Sequence, residues 1–414
     1  MFRWPNSKRI LSFSLLSNFL FYLFYFKYHE SGIAAVGGTS LALIPAIGLI
    51  SVIGMLSAYG FSLIGRVCAY TQAHSYREAW ERTVSPKTGW MPAAACLMVT
   101  TCSVLAYSMI LSDTLPSIAS SFLGYTITRT QALLGVTLVA LLPLCLMKSL
   151  KSLAPFSLVG IIGMIYTSCA MALRFFDQSY GPEGRFLETL GEGLAPQFGE
   201  PQTLKDLLFN PNIFLLVSML STASMAHYSA HRFYWELENN TLPRYQLVVN
   251  VSFAISILLF IAVGSFGFAT FGKSCAGLVL NNYSTEDELM SLSRIAVALS
   301  LLFSYPLAFV GVREGLLDLL KVEKRSDRLL NSVTVGLLAV ITSFAYKLRD
   351  LRKLLAINGA TWGNSVIYLM PTYMFVQCAN KLNPELKPEV PRVVITGVLG
   401  LIMGIIGTVK AIES

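Results

Sequence analysis

Apolar runs long enough to cross a membrane follow one another along almost the whole chain. They lie at roughly 10–26, 40–65, 92–121, 131–147, 153–176, 211–231, 246–271, 290–320, 328–346, 351–379 and 390–409. A hydrocarbon core of about 30 Å takes about 20 residues of helix, so each run reaches or approaches that length. Inside lipid every backbone N–H and C=O has to bond within the protein, which a helix achieves alone. The pattern is therefore read as an all-α polytopic membrane protein with about 11 transmembrane helices. Composition agrees: only 13% of the 414 residues are charged, about half the share of a soluble domain. Removing the runs leaves no stretch that could bury a soluble core. The net charge of +8 sits in the short gaps, so the lipid bilayer is the partner and no nucleic acid is needed to account for it.

Alternating the gaps between the two sides of the membrane puts 19 Lys and Arg residues on the side of the N-terminus and 12 on the other. The excess assigns a cytoplasmic N-terminus and an extracellular or lumenal C-terminus; a plasma membrane or a vacuolar or lysosomal membrane is the expected residence. Lys347, Arg349, Arg352 and Lys353 run against that assignment. Asn282-Tyr283-Ser284 is a glycosylation sequon on the outer side, so Asn282 is expected to carry a glycan; Asn239, on the inner side, is expected to stay bare. The segment beginning at Arg66 reads as an amphipathic cytoplasmic loop. The one from Asp177 to Phe209, rich in Gly and Pro, reads as a partly flexible outer loop, and Asp113 as solvated near a helix end. Seven cysteines show no Cys-x-x-Cys spacing, and no phosphate-binding loop or catalytic triad pattern is present. These features point away from an enzyme, a metal centre or a bound cofactor.

The sixth run departs from the others. Its large apolar side chains stop at Ser221-Thr222-Ala223-Ser224, and His227 and Tyr228 follow at bilayer depth. Small and hydroxyl residues there serve either close helix packing or an interrupted helix that binds a polar solute. The order His227, Tyr228, Ala230, Phe233, Tyr234, Glu236, Leu237, Arg244 resembles the sixth span of the amino acid/auxin permease family. Gly264–Gly272, Ser304-Tyr305-Pro306 and Gly359-Ala360-Thr361 extend the likeness. From about residue 31 to 414 the chain is similar to that family, near its sodium-coupled neutral amino acid transporter branch.

The resemblance implies a LeuT-like five-plus-five inverted repeat with one added helix, and a secondary active transporter of a small amino acid substrate coupled to Na⁺ or H⁺. It assigns Ser221, Thr222, Ser224 and His227 to the substrate, with Thr101 and Tyr107 of the third run, and makes Ser304 a possible Na⁺ ligand beside the proline-loosened turn of the eighth. Many relatives pair a cysteine of the 177–209 loop with one after the seventh span; this loop has none, so Cys275 is expected unpaired. Asn364 of the tenth run serves a helix–helix hydrogen bond or a site. Residues 1–30 depart from the family: Ile10–Phe26 contains neither the Gly-Ala-Gly run nor the Leu-Pro that opens the first span in relatives. Weak or absent transport is expected on that ground, as a transport-defective variant or as a membrane sensor that binds an amino acid without moving it.

Overall fold

A computed structural model describes residues 33, 37, 39–147, 154–200, 203–276, 278–320, 322, 325–348 and 350–413. The run at 10–26 and the departure assigned to residues 1–30 lie outside them.

The described residues form helices α1 (Leu43–Thr71), α2 (Tyr76–Thr83), α3 (Trp90–Leu123), α4 (Arg129–Leu146), α5 (Ala154–Phe176), α6 (Leu204–Leu208), α7 (Ile213–Ala223), α8 (Ala230–Glu236), α9 (Leu242–Phe271), α10 (Glu288–Leu319), α11 (Asp327–Lys347), α12 (351–381) and α13 (Val390–Glu413). Eight segments are long and apolar enough to cross a membrane, with α7 and α8 counted as one, Ile213–Glu236. The ten apolar runs from 40 onward all fall on helices.

Helix ends follow local chemistry. Ser75 caps α2 by accepting from Glu78 N at 3.0 Å, while Glu78 accepts from His74 N at 2.6 Å. Thr128 and Gln131 form a fully reciprocal capping box on α4, Gln131 accepting from the backbone N–H of the cap residue itself. The helix α12 carries two π turns, Gly359–Gly363 and Ser365–Leu369, a feature often found at functional positions.

At the centre α3 packs along α10, with α5 on the far side of α10 and α1 against α9. The broken pair α7–α8 lies among α1, α12 and α13. Apolar side chains such as Val394, Val398, Leu401 and Ile405 of α13 remain exposed on the outside of the bundle, as a lipid-facing helix requires.

One end of the bundle is held by buried charge. Arg174, in the last turn of α5, donates to both carboxylate oxygens of Asp287, the cap of α10, at 2.8 and 2.7 Å. Tyr180 donates to the same carboxylate at 2.9 Å and accepts from Ser284 N at 3.1 Å. Burial first, then the charge of Asp287, pushes the Tyr180 hydroxyl well above its ordinary value. Arg294 is 1% exposed and gives its terminal nitrogens to the carbonyls of Leu280, Tyr283 and Ser284 and to the Ser291 hydroxyl.

The loop read as partly flexible is thus anchored through Tyr180, and a lone bridge ties Gln197 to Gly272. Asp113, read as solvated, is paired instead with Arg129 at 2.6 Å, because the start of α4 folds back beside α3.

The same loop region holds Asn282, expected from its sequon to carry a glycan. Its carboxamide is fully buried, donating to Ser274 O and accepting from Ala276 N, both at 2.7 Å. A glycan on that nitrogen would have to pull it out of the folded loop. The Cys275 thiol faces the Gly267 carbonyl at 3.6 Å, and no disulfide joins the described cysteines.

At the opposite end α2 lies across the bundle. Tyr76 donates to Val366 O at 3.0 Å, Trp235 Nε1 to Ala73 O at 2.7 Å, and Lys381 Nζ to Thr83 O at 3.1 Å. Arg66 and Glu389 form a two-pronged ion pair at 2.8 and 2.6 Å beside them.

Candidate functional site: the break between α7 and α8

Four small residues, Ser221–Ser224, remove the side-chain bulk that would keep the sixth run packed as a single helix. The helix α7 ends at Ala223, and Ser224 closes its last turn by donating to Leu220 O at 3.0 Å. Regular helix resumes at Ala230 after a single 3₁₀ turn, His227–Ser229. The interruption expected from the sequence is therefore present, and Ser221, Thr222, Ser224 and His227 are all buried around it.

The side chains there have specific partners. The Thr222 hydroxyl donates to Leu355 O of α12 at 2.7 Å. A Cβ on Gly359 would collide with Ser218 O and that hydroxyl, so glycine alone lets α12 approach so closely. His227 Nε2 lies 2.8 Å from Ser57 O of α1. A carbonyl can only accept, so Nε2 carries the proton and Nδ1 is a bare acceptor, with no partner among the described residues. The Ser57 hydroxyl meets Tyr368 OH of α12 at 3.2 Å, and the Phe61 ring stands edge-on to His227 at 5.5 Å.

The other expected residues form a second group on α3 and α10. Ser108 and Tyr305 share a hydrogen bond of 3.0 Å, and Tyr107, buried beside Ser108, has its ring 6.4 Å from that of Tyr305. Ser304 is buried, and its hydroxyl donates back to Ser300 O within its own helix. Pro306 has no N–H to offer the Leu302 carbonyl, which leaves a second oxygen near Ser304 without its helical donor. Thr101 is half-buried on α3.

Sequence reading thus found the break and the proline turn but missed Ser57 and Tyr368. Each is one of several polar residues in an apolar run with nothing to set it apart, and their contact spans 311 positions of chain. Among the described residues no group of three or more His, Cys, Asp or Glu is placed to hold a metal ion.

Both groups fall within residues 36–413, which match the family model for transmembrane amino acid transporter protein. The chain belongs to the transmembrane amino acid transporter family. That family is one of transporters, not of enzymes. Among relatives, Vacuolar amino acid transporter 2 of Saccharomyces cerevisiae is 20% identical over 286 residues, 65% of this chain and 56% of the yeast protein. A Bos taurus protein assigned by name to the sodium-coupled neutral amino acid transporters, as number 11, is 23% identical over 320 residues, 75% of this chain and 64% of its own length. Amino acid transporter AVT6E of Arabidopsis thaliana is 22% identical over 413 residues, 93% of this chain and 80% of the plant protein. The match spans less than two thirds of the yeast and bovine relatives.

Proposed function

We propose that the chain is a secondary active transporter of amino acids that works by alternating access, with Na⁺ or H⁺ as the coupling ion. The observation that carries this reading is the helix broken at bilayer depth with buried hydroxyls and an imidazole around the gap. The carbonyl end of α7 favours positive charge, which suits the ammonium group of a zwitterion or a cation. Ser304 and the Leu302 carbonyl supply the hard oxygen ligands that Na⁺ prefers.

An inverted repeat of spans one to five and six to ten, with an eleventh added, fits the packing. The closely packed pairs α3–α10 and α1–α9 are the third with the eighth and the second with the seventh of the expected spans. Those are the counterparts that a pseudo-two-fold axis brings together. The Lys and Arg excess supports a cytoplasmic position for the end carrying α2 and an extracellular or lumenal C-terminus.

The test is uptake of radiolabelled L-amino acids into proteoliposomes under an imposed Na⁺ or pH gradient, beside amino-acid-induced thermal shift. Gradient-dependent accumulation is expected. A thermal shift with no flux under either gradient would overturn the transport reading and leave a binding protein.

A further inference from the structure

The break is lined by committed groups on most sides, but beside it one buried side chain has neither of its polar atoms committed. Asn358 of α12 is 2% exposed, and neither its Oδ1 nor its Nδ2 has a hydrogen-bond partner among the described residues. Asn364, six residues further on, differs: its Nδ2 donates to Gly400 O at 2.6 Å and joins α12 to α13.

Position relates Asn358 to the break. It follows Leu355 by three residues, and the Leu355 carbonyl accepts the Thr222 hydroxyl at 2.7 Å. It immediately precedes Gly359, which seats directly against Ser218 and Thr222. Asn358 therefore lies at the depth of Thr222, where α12 is packed against both α7 and α3, at the entry to the first π turn.

A carboxamide buried without a partner opposes folding, the more so at bilayer depth where no bulk water competes for it. A leucine would fill the same volume without that penalty. The carboxamide presents a donor and an acceptor side by side. A zwitterionic amino acid presents the complement, a carboxylate oxygen beside an ammonium group.

We propose that Asn358 is a substrate-binding residue contributed by α12. Its Nδ2 donates to the carboxylate and its Oδ1 accepts from the ammonium group of the amino acid. The inference rests on the reading of the chain as an amino acid transporter and adds a helix to the site that the break alone does not supply. His227 Nδ1, like Asn364 Oδ1 and His231 Nδ1 a buried polar atom without a partner among the described residues, follows the break on α8's approach.

The experiment uses the full chain in detergent and L-alanine as probe, because alanine's side chain has no polar group and the signal reports the zwitterion alone. Asn358→Leu and Asn358→Gln are compared with the parent for melting temperature without ligand and for apparent Kd. With Leu, the ligand-free melting temperature is expected to hold or rise and the Kd to weaken by about ten- to a hundredfold, the loss of one or two hydrogen bonds to charged groups. Gln is expected to recover part of the affinity. A parental Kd in the Leu variant overturns the assignment of Asn358 while leaving the transporter reading in place. A lowered ligand-free melting temperature in the Leu variant overturns it too, by showing that the carboxamide has a structural partner. A parent that binds neither L-alanine nor any of a panel of L-amino acids defeats both readings together.

Discussion

Two buried polar regions of this bundle are built on opposite plans. At the end carrying the 177–209 loop, Arg174, Asp287, Tyr180 and Asn282 bond to one another, to Asp177 or to backbone through every polar group they bury, while the neighbouring Ser274 hydroxyl, Asn281 Oδ1 and Arg294 Nε have no partner among the described residues. Around the break, His227 Nδ1 and both amide atoms of Asn358 have no partner among the described residues. A fully bonded network in a low-dielectric interior is rigid and specifies one arrangement. Unbonded groups at the same degree of burial are tolerated where another species supplies the bonds. The contrast separates a fixed frame, which joins α5 to α10, from a region that can exchange partners.

The harshest test of that contrast is Asp287→Asn. It keeps the shape but leaves the Arg174 guanidinium with Asp177 alone of its two carboxylates, at an expected loss of about 1.5–3 kcal/mol in the unfolding free energy. Denaturation in detergent that matched the parent would mean that the charged end is not the frame. Next in size is Thr222→Val, which removes one hydrogen bond to Leu355 O and is expected to lower stability by about 1 kcal/mol. Amino acid affinity should stay close to parental, because that hydroxyl is already committed to α12. A tenfold weaker Kd, about 1.4 kcal/mol, would move Thr222 to the exchangeable side of the comparison. Leucine at 222 would instead run into Gly359 and report on packing alone. The smallest effect is expected of Ser304→Ala, a several-fold rise in the Na⁺ concentration needed for half-maximal uptake with amino acid affinity little changed. Equal Na⁺ dependence in mutant and parent would shift the coupling to protons.

The helices from residue 40 onward were legible because lipid-depth segments announce themselves by length and apolarity alone. The break was legible for a related reason: a run of small residues beginning at Ser221 is conspicuous among Leu, Phe and Met. What could not be read is the pairing of single polar residues across distant helices. The place of Asp113 near a helix end points to solvent, and the sequon at Asn282 on the outer side points to a glycan. Arg129, 16 residues on, and the backbone around Ser274 claim them in the fold. The 177–209 loop was taken as partly flexible from its Gly and Pro, yet the carboxylate that anchors it is 107 positions past Tyr180. Asn358 opens the Asn358-Gly359-Ala360-Thr361 stretch that carries part of the family likeness, but a polar residue there looks the same in sequence whether its partner is a helix, a ligand or none.

The eight-residue α2 has a consequence for how such a bundle could move. Through Ala73, Tyr76 and Thr83 its segment is hydrogen-bonded to Trp235 on the far half of the broken helix and to Val366 and Lys381 on α12. It works as a yoke: α8 cannot swing away from the lower part of α12 unless α2 travels with one of them and lets go of the other. In the alternating-access cycle proposed above, separating α8 from α12 at this end requires the bonds held by Ala73, Tyr76 or Thr83 to break.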